Sequence, residues 1–299
     1  GQLGEPVRKW LAAWRAAQDA LLSRNRIEDV MEEPRENVMT VWENLRESEG
    51  AKLFFNDCKI RLEDVCFGYA EQGSHRVLSD IRMEIGPGMN ALVGRSGCGK
   101  TSLLKLLLAL YSCDSGNILV NDVPLANLPP NVWRPRCGVV LQDGYIFSDT
   151  ILANVAPQLA EPDQVLVQEC LKLACLWDWV SALPKAMNTK VGREGIAMSQ
   201  GQRQRLLMAR ALYKKPQVLF LDEATNALDV HTEGRLWENV KPLFERKTVL
   251  VIAHRLSTVV DAKKIFVMEE GRIVESGCHE ELLERRGVYF ELIKNQMGL

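Results

Sequence analysis

The stretch Gly94–Arg95–Ser96–Gly97–Cys98–Gly99–Lys100–Thr101 decides the fold. It matches G-x-x-x-x-G-K-[ST], and its setting is the one that pattern requires. The apolar run Ala91–Leu92–Val93 precedes it as a strand, and a Leu-rich helical segment from Thr101 follows. Glycines let the backbone curl until successive N–H groups point at phosphate oxygens. The start of the following helix adds partial positive charge. Lys100 supplies a point charge for the β- and γ-phosphates, and Thr101 a hydroxyl for Mg²⁺. The expected phosphate-contacting set is Gly94, Arg95, Ser96, Gly97, Cys98, Gly99, Lys100, Thr101 and the adjoining Ser102.

Reading outward, Val218–Leu219–Phe220–Leu221–Asp222–Glu223 is an apolar strand ending in two carboxylates. Open α/β sheets bind ligands at the C-terminal ends of their strands. Asp222 there suits Mg²⁺, a hard cation that takes oxygen ligands. Glu223 is placed to accept a hydrogen bond from a water attacking the γ-phosphate. Together with the glycine-rich loop, the two carboxylates complete one Mg-nucleotide site.

The rest of the chain supports a sheet protein of this kind. Residues 59–65 alternate as a half-buried strand, and buried strands are expected at 90–93, 137–141, 218–221, 249–253 and 264–268. Helical segments separate them, for example 162–176 and 200–213. Continuous apolar strands alternating with helices indicate a parallel sheet covered on both faces. Pro135 should block regular helix just ahead of residues 137–141. The 299 residues carry 37 Lys and Arg against 39 Asp and Glu, a net charge of −2 that argues against a broadly basic nucleic-acid binder. No run of roughly 18 apolar residues occurs, so no helical membrane span is read from the sequence. The eight cysteines form no Cys-x-x-Cys pair and stand singly in apolar stretches, which suits buried hydrophobes rather than a disulfide framework or zinc site. Residues 1–56 differ: Trp10, Leu11, Trp14, Ala17, Leu21 and Leu22 make an apolar helical stripe with no core of its own.

A third element lies between the two site motifs. Met198–Ser199–Gln200–Gly201–Gln202 resembles the Leu-Ser-Gly-Gly-Gln signature of the ATP-binding cassette (ABC) family. Lys100 and Ser199 are 99 residues apart and Ser199 and Glu223 24 apart, spacings usual for that family. The resemblance covers residues 58–299. It implies an α/β P-loop NTPase with a RecA-like core, an antiparallel β subdomain and an α-helical signature subdomain at about 143–212. It also implies ATP and Mg²⁺ as ligands. Tyr69 matches the aromatic that stacks on adenine, and Gln142 the glutamine that binds Mg²⁺ and senses a transport domain. His254 matches the histidine at the γ-phosphate, and Asp229, in Asn226–Ala227–Leu228–Asp229, belongs to the loop exchanged between two ATPase domains. Ser199, Gly201 and Gln202 would cap ATP held by a second domain in a head-to-tail dimer. Thr101, Gln142 and Asp222 form the implied metal set, and Glu223, His254 and Gln142 the catalytic one. Gln200, standing where the family has glycine, is the chief departure.

Two stretches resemble the exporter branch: Tyr145–Ile146–Phe147–Ser148–Asp149–Thr150–Ile151, and Thr189–Lys190–Val191–Gly192–Arg193–Glu194–Gly195. Residues 1–56 resemble the cytoplasmic end of an exporter's transmembrane domain, leaving 57–299 as the nucleotide-binding domain. The resemblance thus implies an ATP-hydrolysing export motor on the cytoplasmic face of the inner or plasma membrane. Its partners would be a second nucleotide-binding domain and a transmembrane domain of the same full-length polypeptide, with no nucleic acid. Bacterial exporters of bacteriocin-like peptides resemble it most. The competing readings are a soluble ABC ATPase of DNA repair or translation, and an ATP-sensing module that does not hydrolyse. The 99-residue gap is too short for a repair-type coiled coil, and a single phosphate loop speaks against the translation type.

Overall fold

The computed structural model describes residues 57–69, 76–157, 161–253 and 255–297. The segment 1–56 and His254 lie outside the described residues.

The middle layer is a six-stranded sheet. It contains β3 (Gly88–Gly94), β6 (Cys137–Val140), β7 (Val218–Asp222), β8 (Thr248–Ile252), β9 (Lys264–Glu269) and β10 (Arg272–Gly277), in the order β10-β9-β3-β8-β7-β6. Five strands run parallel and β10 joins the edge antiparallel to β9. The period-2 alternation of a strand sends neighbouring side chains to opposite faces. Here it divides the core in two. Ala91, Val93, Leu219, Leu221, Val249, Val251, Ile265 and Val267 enter one cluster. Leu92, Val218, Phe220, Leu250, Ile252, Phe266 and Met268 enter the other. Both faces are therefore covered, as the continuous apolar strands require.

On the second face lie α1 (Lys100–Leu107) and a four-stranded antiparallel sheet. That sheet is made of β1 (Ile60–Phe67), β2 (Leu78–Ile85), β4 (Ser115–Val120) and β5 (Val123–Pro124), ordered β2-β1-β4-β5. The helix after the phosphate loop is shorter than its apolar run suggests. Ala109 adopts φ +53, and the N–H groups of Ala109 and Leu110 turn back to the carbonyls of Leu106 and Lys105. This is a Schellman ending with alanine where glycine is usual. Its remaining carbonyls are met from Trp133 and Arg134. The indole of Trp133 donates to Leu107 O at 2.8 Å, and the Arg134 guanidinium to Leu108 O and Ala109 O. The Trp133–Arg136 stretch thus closes the C-terminus of the loop's own helix. Pro135 sits in the first positions of a 3₁₀ turn, Arg134–Arg136, where its missing N–H costs nothing.

The chain between β6 and β7 passes through α3 (Ile151–Val155), α4 (Gln164–Leu173), α5 (Trp177–Ser181) and α6 (Gln200–Tyr213), after the short α2 (Pro130–Trp133) ahead of β6. The helix expected at 162–176 is α4, shortened at both ends, and the separate short helix α5 follows it from Trp177. Asp163 caps Val165 N–H and Leu166 N–H, which fixes the start of α4. Cys175 at φ +53 ends it in a second Schellman motif, with Cys175 N–H on Lys172 O and Leu176 N–H on Leu171 O. The fold is completed by α7 (Val230–Phe244), α8 (Leu256–Val259), α9 (His279–Arg285) and α10 (Val288–Met297). All eight cysteines are free thiols; Cys58, Cys66, Cys98, Cys137 and Cys170 are buried, whereas Cys113, Cys175 and Cys278 are only half-buried and depart from the expectation of buried hydrophobes. Among the described residues, no helix is long and apolar enough to cross a membrane.

Candidate nucleotide site

The parallel strands end nearly level: Leu92 pairs with Ile252, Ile252 with Asp222, and Leu221 with Val140. The segments leaving β3, β8, β7 and β6 therefore converge on one edge. Those segments carry the phosphate loop, His254, Glu223 and Gln142, although His254 itself is not among the described residues.

At the end of β3 the loop turns so closely over β9 that a Cβ on Gly94 would lie 2.2 Å from Met268 O, and only glycine fits. Lys100 is buried, and its ammonium donates to Gly94 O and Arg95 O, each at 2.8 Å. Among the described residues it has no carboxylate partner. A buried cation balanced by two carbonyl dipoles and the Cys98 sulfur at 3.8 Å is costly unless an anion arrives to share it, which is the chemistry expected of a phosphate site. Thr101 Oγ1 donates to Asp222 Oδ2 at 3.0 Å, and Asp222 is buried. A hydroxyl and a carboxylate side by side form an oxygen pair that fits Mg²⁺.

Glu223 follows directly, with φ +50, a left-handed conformation that costs a non-glycine residue about 1–2 kcal/mol. Several bonds hold it there. Its N–H donates to Ile252 O at 3.1 Å, and its carboxylate accepts from Asn226 Nδ2 at 2.6 Å. Its carbonyl accepts from Gln204 Nε2 at 3.1 Å.

Tyr69 stands beside α1, its hydroxyl 3.1 Å from Ser102 Oγ. Its ring meets Phe67 and Tyr111 edge-on at 4.9 and 5.3 Å, with Lys105 Nζ 5.6 Å from its centroid. Gln142 is exposed beyond β6 and lines a groove of about 350 Å³ with Asp143, Gln200 and Arg203.

Ser199, exposed, and Gly201 and Gln202, half-buried, form the first turn of α6. Ser199 Oγ accepts from Gln202 N–H, and Gln202 Oε1 accepts from Ser199 N–H, a reciprocal capping box. Gly201 packs on the loop after Glu223: a Cβ there would lie 3.0 Å from Ala227 O. Asp229 caps α7 by accepting from Thr232 N–H, which holds its carboxyl below the usual range. The structure thus joins Lys100, Thr101, Asp222 and Glu223 on one edge and Tyr69 to Ser102. It places the 199–202 turn against residues 227–228 instead of against the phosphate loop.

The two stretches that resemble exporters also meet. Ile151 N–H donates to Thr189 O, Val191 N–H to Asp149 O and Arg193 N–H to Ser148 Oγ. Tyr145 and Phe147 are exposed beside them, and Tyr145 lines a groove of about 660 Å³ with Arg193 and Met198. This surface is held by Asn154 and Arg210, residues that no sequence motif marked. Asn154 is fully buried and bonds Phe147 N–H, Phe147 O and Thr150 O, while Arg210 donates to Asn154 O and Tyr145 O. Burial pushes the Arg210 guanidinium down from its ordinary range. Sequence reading also missed Glu233. This buried carboxylate on α7 accepts from Thr225 Oγ1 and pairs with Arg255, which in turn donates to Asn226 O and Leu228 O. The Arg210 and Arg255 contacts join residues far apart in the chain, those of Asn154 and Thr225 join residues four to eight apart, and no sequence motif signals either kind.

The ABC transporter family model matches residues 78–226. The chain is 38% identical to a leukotoxin export ATP-binding protein of Aggregatibacter actinomycetemcomitans, over all of this chain and 41% of that protein. It is 39% identical to an ATP-dependent lipid A-core flippase of Burkholderia pseudomallei, over 97% of this chain and 48% of that protein. It is 41% identical to an ABC multidrug transporter of Trichophyton rubrum, over 83% of this chain and 19% of that protein. A solved bacterial Atm1-family ABC exporter with ATP bound superposes with a TM-score of 0.77 at 35% identity, covering 81% of this chain and 42% of that one. The chain spans less than half the length of these relatives. It belongs to the ABC transporter family and carries that family's ATP-binding domain.

Proposed function

We propose that residues 57–299 bind and hydrolyse MgATP as the motor domain of an exporter, with residues 143–212 as its helical subdomain. Residues 1–56 would continue a transmembrane domain of the same polypeptide. The observation that carries this reading is the convergence of Lys100, Thr101, Asp222 and strained Glu223 on one sheet edge.

The loop amides and Lys100 hold the β- and γ-phosphates, Lys100 exchanging carbonyl partners for phosphate oxygens. Thr101, Asp222 and Gln142 would hold Mg²⁺, whose charge would offset the negative charge of the phosphates. Tyr69 stacks on the adenine. Glu223 accepts a proton from water as its oxygen bonds to the γ-phosphorus and the bond to the ADP oxygen breaks. His254 stabilises the transferring phosphoryl group.

Ser199, Gly201, Gln202 and Asp229 would face nucleotide held by a second domain, so that two ATP molecules close a head-to-tail dimer. The surface of Tyr145, Phe147 and Arg193 would dock a transmembrane domain at the cytoplasmic face of the membrane, and Gln142 beside it would pass closure across. Cargo choice rests with that membrane domain; peptide export is the finer reading of this motor.

Steady-state phosphate release by the chain, measured over a range of protein concentrations with Mg²⁺ and with EDTA, tests the reading. Mg-dependent turnover rising faster than linearly with protein is expected. Absence of Mg-dependent turnover at the highest concentrations would sink it.

A further inference from the structure

The side chain of Gln204 is buried between the first turns of α6 and the loop after β7. Its amide is used from both ends: Nε2 donates to Glu223 O at 3.1 Å, and Oε1 accepts from Ala227 N–H at 3.0 Å. Those two backbone groups begin and end the turn that holds the Glu223 carboxylate, whose φ of +50 is unfavourable without such bonds. One rigid planar amide therefore fixes the span of that turn. Gly201, one turn earlier on α6, lets Ala227 approach closely enough for the bond to form.

We infer that Gln204 is a positioning residue for hydrolysis: it holds the Glu223 turn in its left-handed form and ties the carboxylate to the helix that begins at Ser199. The inference rests on the reading of Glu223 as the group that accepts a proton from water. A glutamine suits the turn because it meets one acceptor, Glu223 O, which also accepts from Asn226 N–H at 3.3 Å, and one donor, Ala227 N–H. Leucine satisfies neither, and glutamate keeps the acceptor for Ala227 while setting a carboxylate against Glu223 O. Misplacing a catalytic group by a fraction of an ångström lowers turnover with little effect on ground-state binding.

The test is a double-mutant cycle on the full 299-residue chain, reading kcat and KM for MgATP by single- and multiple-turnover phosphate release. Gln204→Leu and Gln204→Glu should each lower kcat about tenfold or more and leave KM within about twofold. In a Glu223→Gln background the same changes should lower the residual rate less than about twofold, because Gln204 acts only through the carboxylate already removed. Equal losses in both backgrounds, or a rise in KM that accounts for the loss, would overturn the inference. Unchanged kcat in the single variants would do so as well. If neither Gln204 variant gives a cooperative thermal melt, the residue serves folding and the inference also fails. Normal turnover by Glu223→Gln alone would instead sink the proposed role of Glu223, an outcome visible separately from the others.

Discussion

At the residue scale the site is a balance of charge and strain. Lys100 is buried with two carbonyls as its oxygen partners, and Glu223 is held in a backbone conformation that few residues tolerate. The two should respond differently to substitution. Glu223→Gln keeps size and hydrogen bonding but cannot accept a proton. It should lower kcat by about 10²-fold or more, leave ATP affinity nearly intact, and trap an ATP-bound dimer detectable by size-exclusion chromatography. Lys100→Ala removes the charge that would meet the phosphates. It should weaken nucleotide binding by about 1.5–3 kcal/mol, read by equilibrium titration with a fluorescent ATP analogue. The glycine-rich loop, Asp222 and Glu223 were all legible in the sequence because their chemistry is carried by residue type and local spacing. Gln204 was not, since a glutamine within a helix shows nothing of the two backbone groups it meets across the turn.

At the element scale, helix ends were the least legible features. Sequence reading places helix termination at glycine, proline or a change of polarity, and α1 and α4 end at Ala109 and Cys175 in left-handed backbone. In each case the Schellman hydrogen bonds and the packing around the turn override the local preference of the residue. Ala109→Gly should relieve that conformation and raise stability by about 0.5–1 kcal/mol, measured by urea unfolding at constant m value. A loss of stability would show that the methyl group's packing outweighs the strain. The start of α6 was legible, because Ser199 and Gln202 form a capping box that local sequence encodes. Ser199→Ala should cost about 1 kcal/mol in the same unfolding assay, before any effect on nucleotide.

At the scale of the whole molecule, the two-faced sheet buries cysteines that would ionise in the unfolded chain. Burial pushes the Cys58 thiol up to about 12 and that of Cys137 well above its ordinary range. These folded-state values are raised, so the unfolded chain releases protons first as pH rises. The stability they contribute is complete below the ordinary thiol range and is lost as pH climbs toward the folded values. Between about pH 9 and 11 each such thiol should lower stability by about 1.4 kcal/mol per pH unit. The thermal midpoint should therefore fall over that range, and Cys58→Ala should flatten the slope. A midpoint independent of pH there would contradict the burial assigned to these thiols.

The sequence by itself determined the class of fold, the order of its strands and helices along the chain, and the nucleotide-binding chemistry. Period-2 apolar runs, a glycine-rich loop and strand-end carboxylates are local patterns with direct physical meaning. Only the tertiary structure decided which carbonyls hold Lys100 and how Trp133 and Arg134 close α1. It alone showed that Asn154 and Arg210 brace an exposed aromatic surface, and that Gln204 and Arg255 clamp the turn carrying Glu223. Many of those hydrogen bonds join residues distant in the chain, such as Trp133 to Leu107 and Gln204 to Glu223, and the short-range ones of Lys100 and Asn154 depend on loop conformations that only packing of both cores sets.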